Sequence, residues 1–156
     1  MGEKYPRGIR NNNPGNIEKN HIVWKGMAEQ QNDKRFVVFI DAVFGLRALM
    51  KLLVNYRKKH GLKTVVDIIK RWAPPFENHT EAYARAVSSH LNVLPGQILD
   101  IMDRRILIKF AQAITCQENG KSLNEGYEFW YADDLYKQAA DMVLGHKKHQ
   151  YERIRR

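Results

Sequence analysis

Apolar residues recur at helical spacing along most of the chain, a pattern that predicts a mainly α-helical protein. The longest such segment runs from 42 to 60, where Asp41 is placed to cap the first turn and Gly61 to end the last. Its predicted buried stripe comprises Leu46, Leu49, Met50, Leu53 and Tyr56. We therefore expect this segment to pack in the middle of a helical core.

Four more helices follow from the same pattern, each with a polar capping residue or a glycine at one end. The predicted segments are 65–72, 81–91, 104–118 and 130–144. The residues expected to cap or end them are Thr64, Thr80, Asp103, Gly120 and Gly145. Gly120 is expected to adopt the left-handed conformation.

The remaining segments predict little regular structure. Residues 36–40 are β-prone, whereas 7–26 are rich in Asn, Gly and Pro and favour turns. The sequence thus predicts one mainly α domain with α+β character, about five helices and at most a short β segment. The domain is assigned to residues 1–145, followed by a basic tail at 146–156.

Composition narrows the class of partner. The 156-residue chain carries a formal charge of +9, which indicates a polyanion: nucleic acid, an anionic membrane surface or an acidic wall polymer. The sequence has one cysteine, Cys116, so an internal disulfide cannot form. No apolar run has membrane-spanning length, and the N-terminus lacks the apolar core of a secretory signal. We expect synthesis in a cytoplasm, with another protein assisting any outward passage.

The sequence lacks the motifs of phosphate, metal and acyl chemistry. It contains no glycine-rich phosphate cradle, no strong zinc spacing among six histidines and no serine in a nucleophile elbow. No metal or cofactor is therefore expected, which leaves a carboxylate mechanism.

Glu118 is the main candidate, because it closes an apolar helix just before Asn119 and Gly120. The negative end of the helix dipole, together with a partly apolar cleft, would disfavour its charged form. A neutral glutamic acid can protonate a leaving oxygen, as glycosidases require. The alternative is a solvated glutamate at a helix end.

Other polar and aromatic residues leave two interpretations open. Asn12, Asn13 and Asn16 can bond their own backbone or an outside ligand. Trp24 is either a core anchor or a platform for sugar stacking. Glu77 is either a second active-site carboxylate or a loop charge.

Three blocks together resemble a family of phage and prophage proteins described as structural or endolysin-like. They read Arg-Gly-Ile-Arg-Asn-Asn-Asn-Pro-Gly-Asn-Ile at 7–17, Trp-Ala-Pro-Pro-Phe-Glu-Asn-His-Thr-Glu-Ala-Tyr at 72–83 and Gln-Glu-Asn-Gly at 117–120. In that family the last block usually begins with His, which Gln117 replaces here. The substitution leaves Glu118 in place.

A looser resemblance links the chain to flagellar and autolysin-type glucosaminidases, which have a lysozyme-like fold. Asn-Asn-Pro-Gly-Asn-Ile at 12–17 is similar to their Asn-Asn-Leu-Phe-Gly-Ile, and Trp-Lys-Gly at 24–26 to their Trp-x-Gly. Their catalytic glutamate precedes the asparagine block, whereas Glu118 follows it. The resemblance implies a circularly permuted lysozyme-like domain, with Glu118 and Asn13 facing each other across one cleft.

These resemblances imply a glycosidase of peptidoglycan, of muramidase, glucosaminidase or lytic transglycosylase type, acting as an endolysin or virion-associated lysin. Glu118 would be the general acid, and Glu77 a rim residue that steers water. Asn13 and Asn16 would hold N-acetyl groups. The full set of implied substrate-binding residues is Asn12, Asn13, Asn16, Trp24, Tyr83 and Asn119.

Two other functions remain open. One is a non-catalytic virion structural or wall-binding protein that keeps a lysozyme-like shape. The other is nucleic-acid binding, but the basic residues look dispersed apart from the tail, so no specific nucleic acid is expected. We expect a monomer that acts on glycan strands in the periplasm or wall, or within a virion. Its basic tail would contact an anionic outer membrane or wall.

Overall fold

A computed structural model describes residues 4–73 and 79–145, and within these ranges the protein is mainly helical. The predicted fold class is confirmed, with six helices joined by loops in the described ranges. They are α1 (Arg7–Arg10), α2 (Ala42–His60), α3 (Val65–Trp72), α4 (Thr80–Leu91), α5 (Arg104–Asn119) and α6 (Asp133–Leu144). The predicted tail at 146–156 lies outside the described residues.

Most of the predicted helix ends are confirmed by their hydrogen bonds. The side chains of Asp41, Thr64 and Asp103 each accept backbone N–H groups from the first turn of the helix that follows. Gly61 and Gly145 end α2 and α6 in the left-handed conformation, with φ of 64° and 73°. Local capping chemistry therefore sets these boundaries.

Three predictions about where helices begin are wrong. Residues 7–10 form the single-turn helix α1 instead of turns alone. Thr80 is the first residue of α4 and not its cap, because its hydroxyl donates to the Ala73 carbonyl oxygen at 3.0 Å. The last helix begins at Asp133, since Trp130 adopts φ of 72°, which no right-handed helix accommodates.

The β-prone segment forms isolated bridges and not a regular strand. Residues 36–40 lie between two parts of the N-terminal region, with antiparallel bridges from Glu18 to Phe36 and from Met27 to Phe39. A further backbone bond joins the Phe39 amide to the Asn11 carbonyl oxygen at 2.9 Å. This segment therefore fastens the N-terminal loop to the body of the protein.

Helix α2 contributes several residues to the core and packs against α5 and α6. Its predicted stripe is confirmed at four fully buried residues, Leu46, Leu49, Met50 and Leu53. Tyr56, the fifth predicted member, is half-buried. A smaller cluster attaches the N-terminal region to the same helix; its buried members are Ile17, Val37, Phe39 and Ala48. Among the described helices none is long and apolar enough to span a bilayer.

Two buried tyrosines offer a matched test of polar groups in the core. The Tyr136 hydroxyl donates to the Phe129 carbonyl oxygen at 2.7 Å, whereas the Tyr131 hydroxyl is buried without a partner among the described residues. We expect Tyr136→Phe to lower the free energy of unfolding by about 1–2 kcal/mol. Tyr131→Phe should leave it unchanged or raise it, as measured by urea denaturation.

The buried Tyr131 hydroxyl predicts that the free energy of unfolding depends on pH in the alkaline range. Burial raises the pKa of Tyr131 in the folded state, so its proton is retained where the unfolded chain has lost it. Stability from this group is therefore complete below about pH 10 and falls above it, by up to about 1.4 kcal/mol per pH unit. Tyr131→Phe should reduce this slope, and an unchanged slope would argue against the buried hydroxyl.

Candidate active site

The asparagine-rich loop is held by its own side chains. Asn13 is fully buried, and its Nδ2 donates to the carbonyl oxygens of Ile17 and Val37 at 3.0 and 2.9 Å. Its Oδ1 accepts the Ile17 amide. Asn12 Nδ2 donates to the Phe39 carbonyl oxygen at 3.0 Å. The structure therefore corrects the prediction that Asn13 binds substrate, because its buried amide holds the loop together. Asn12 is partly exposed and helps to hold the same loop.

The loop reaches its position through a close contact with α2. Asn12 and Asn16 adopt φ of 53° and 50°, a left-handed conformation that asparagine tolerates better than most residues. Gly45 lies directly against the Asn12 backbone, where a Cβ atom would overlap the carbonyl oxygen. A glycine in the first turns of α2 is therefore what allows the loop to lie on the helix.

The end of α5 is tied to the same loop. Asn119 is 8% exposed, and its Nδ2 donates to the carbonyl oxygens of Pro14 and Thr115 at 2.8 and 2.9 Å. Asn119 is thus a brace and not the predicted substrate contact. Gly120 ends the helix with φ of 78° and ψ of −165°, so the predicted left-handed helical conformation is wrong. This extended conformation at positive φ is nearly exclusive to glycine.

Glu118 lies in the last turn of α5, half-buried, and both carboxylate oxygens accept a hydrogen bond. Asn16 Nδ2 donates to Oε1 at 3.2 Å, and the Tyr83 hydroxyl donates to Oε2 at 3.0 Å. The loop does meet Glu118, but through Asn16 and not through Asn13. Each oxygen retains a further acceptor position for a ligand or a proton.

Tyr83 is held as a hydrogen-bond donor. Burial raises its pKa well above the usual value, and the adjacent Glu118 raises it further through charge and hydrogen bonding. The Trp72 side chain opposes these effects. The Tyr83 hydroxyl consequently stays protonated at neutral pH and remains available to Glu118.

These groups face a surface cleft of about 480 Å³. Aromatic rings form much of its lining: Trp24, Phe36, Tyr56, Trp72 and Tyr83. Polar lining residues include Asn16, Glu18, Asn20, Arg35 and Glu118. The cleft thus combines flat apolar surfaces with a carboxylate whose orientation is fixed.

Of the predicted site residues, the structure brings Asn16, Trp24, Tyr83 and Glu118 to this cleft, and Glu77 lies outside the described residues. Sequence reasoning missed Glu18, Arg35, Tyr56 and Trp72. The amphipathic ring of Tyr56 at the edge of an apolar stripe was a usable signal. Glu18, which forms an ion pair with Arg35, had none, because its position depends on the path of the loop.

A second surface cleft, of about 870 Å³, contains none of the predicted site residues. Gln112 is buried beside it and hydrogen-bonds His90 at 2.9 Å. Side chains of both charges surround it. Across the described ranges no group of three or more His, Cys, Asp or Glu is arranged to hold a metal ion.

Comparison with known proteins shows a similarity to a phage protein. The chain is 34% identical over 134 residues to a phage protein, Protein P5 of Pseudoalteromonas phage PM2. The match covers 80% of this chain and 82% of that protein. No protein-family model matches the chain.

The contact beneath the loop can be tested with two glycine substitutions. Gly45→Ala should lower the free energy of unfolding by about 1–3 kcal/mol, because the added Cβ overlaps the Asn12 carbonyl oxygen. Helix propensity alone would favour alanine by about 1 kcal/mol. Gly96→Ala is the control, since nothing lies within 4 Å of a Cβ there. A Gly45→Ala variant as stable as the wild type in urea would refute the close approach.

Proposed function

The chain belongs to the family of Protein P5 of Pseudoalteromonas phage PM2, and we propose that it is a peptidoglycan glycosidase whose general acid is Glu118. It would act as an endolysin or as a virion-associated lysin. The observation that carries the proposal is the placement of Glu118 in a cleft, with one donor on each carboxylate oxygen.

That arrangement stabilises the carboxylate that remains after Glu118 has given a proton to a substrate. Asn16 and Tyr83 hold the carboxyl group in one orientation, and each oxygen retains a further acceptor position. A proton carried by Glu118 passes to the glycosidic oxygen as the bond from that oxygen to the anomeric carbon breaks. A water molecule, or a group of the sugar itself, then bonds to the anomeric carbon.

The lining supports a sugar ligand. Aromatic rings present flat apolar surfaces that complement the C–H faces of pyranose rings, while their polar edges can bond to hydroxyl groups. Trp24, Tyr56 and Trp72 supply such rings around Glu118. Asn16 is the remaining candidate for an N-acetyl contact, as a donor through Nδ2, because Asn13 and the Asn16 Oδ1 atom are buried.

We also propose that the fold is a circularly permuted lysozyme-like domain. The support is the juxtaposition of Glu118 at a helix end with an amide of the N-terminal loop, 102 residues earlier in the chain. The glucosaminidase resemblance implies this pairing in the opposite chain order. Circular permutation is tolerated where chain termini lie close together at the surface.

Glu118→Gln is the direct test of the general acid. The amide cannot donate the proton, so release of soluble fragments from bacterial walls should fall by about a hundred- to ten-thousandfold. Stability should change by less than about 1 kcal/mol, because the amide can accept from Asn16 and donate to a rotated Tyr83 hydroxyl. Glu125→Gln, at an exposed position outside both clefts, is the matched control.

The outcome separates the candidate functions. Full activity in Glu118→Gln would remove this residue as the acid. No release by the wild-type protein would favour a non-catalytic virion or wall-binding protein. Where fragments are released, mass spectrometry of their ends identifies the linkage cleaved and distinguishes reducing ends from anhydro-sugars.

Tyr83→Phe tests the support of the carboxyl group. The ring stays, but Tyr83 no longer donates to the carboxylate that forms as Glu118 gives up its proton. Hydrogen bonds to charged groups contribute about 1.5–3 kcal/mol. We expect kcat/KM to fall roughly ten- to a hundredfold. Tyr127→Phe, which removes an exposed hydroxyl away from the cleft, should have no effect. Equal activities of the two variants would exclude a positioning role for Tyr83.

A further inference from the structure

Among the described residues, positive charge is concentrated in one segment of the chain. From Arg47 to Arg71, α2, α3 and the loop between them carry eight basic residues against one acidic residue, Asp67, a net charge of +7. The other described residues carry thirteen basic and thirteen acidic side chains, a net charge of zero. The sequence expectation of dispersed charge is therefore wrong.

These eight residues, termed the basic surface, are free of carboxylate partners in the described part of the chain. They are Arg47, Lys51, Arg57, Lys58, Lys59, Lys63, Lys70 and Arg71. Lys58, Lys59, Lys63 and Lys70 are exposed. Like charges at this density repel one another and favour binding of an anionic polymer.

The basic surface reaches the cleft at Arg71. Leu52 and Tyr56 of α2 and Trp72 of α3 line the cleft, and Arg71 is the neighbour of Trp72 in the chain. The Arg71 guanidinium lies over the Tyr56 ring, 5.4 Å from its centroid. A polymer in the cleft would meet Arg71 at this edge, and branches that extend beyond the cleft would meet the other cations.

We propose that the basic surface binds carboxylates on peptide branches of the glycan strand that occupies the cleft. The substrate is then an anionic, peptide-bearing wall polymer and not a neutral glycan. This inference rests on the proposed function and specifies its substrate. Because exposed charges are screened over about 8 Å at physiological salt, the attraction acts only on groups close to the surface.

The test measures binding without cleavage. Insoluble bacterial walls are sedimented with Glu118→Gln protein at several salt concentrations. Adding Lys58→Gln, Lys59→Gln, Lys63→Gln and Lys70→Gln should raise the Kd roughly tenfold or more at low salt. The control set, Lys4→Gln, Lys34→Gln, Lys121→Gln and Lys137→Gln, removes the same charge at exposed positions elsewhere and should have little effect.

The polymer is varied in parallel. Two neutral polymers are compared with intact walls: walls whose carboxylates have been converted to amides, and insoluble chitin. Both should bind the Glu118→Gln protein weakly, with a Kd similar to that of the quadruple basic-surface variant on intact walls. Equal binding to native and amidated walls, or equal losses in the two quadruple variants, would overturn the inference. So would preferential binding to DNA or to vesicles of anionic lipid at the same salt. Failure of the proposed catalysis would appear separately, as no fragment release by the wild type.

Discussion

The hydrogen bond between Asn16 and Glu118 joins chain segments 102 residues apart. It forms because the N-terminal loop packs closely on α2, and the cleft depends on that contact. The N-terminal loop can lie on α2 because Gly45 leaves room for the Asn12 carbonyl oxygen. The amide of Asn119 then ties the loop to the end of α5. Buried amides that satisfy backbone carbonyl groups thus fix the loop, and the fixed loop presents Asn16 to the carboxyl group.

Most of the helical fold could be predicted from the sequence because its determinants are local. Apolar spacing and the caps Asp41, Thr64 and Asp103 act within a few residues, and they set the bounds of three helices. The position of Glu118 in a last helical turn followed from the same rules. The start of α6 did not, because the positive φ of Trp130 reflects tertiary packing around a buried indole.

The roles of the asparagines could not be predicted in this way. The same amide can bond backbone or ligand, and only the path of the loop decides which. The Asn13 amide donates to the carbonyl oxygens of Ile17 and Val37, whereas the Asn16 amide donates to Glu118. The aromatic lining from Tyr56 and Trp72 likewise required the relative placement of α2 and α3. In the cleft, the position of Glu118 could therefore be predicted from local rules, whereas the positions of Asn16, Tyr56 and Trp72 depend on tertiary structure.

Binding of a glycan beside Glu118 can be observed directly by NMR. Glu118→Gln protein labelled with ¹⁵N is titrated with soluble muropeptide oligosaccharides, and the side-chain amide of Asn16 and the indoles of Trp24 and Trp72 are followed. A glycosidase cleft predicts saturable shifts at these three groups, with little change around His90 in the second cleft. Unchanged signals at Asn16, Trp24 and Trp72 at saturating ligand would contradict a role for Glu118 in glycan cleavage.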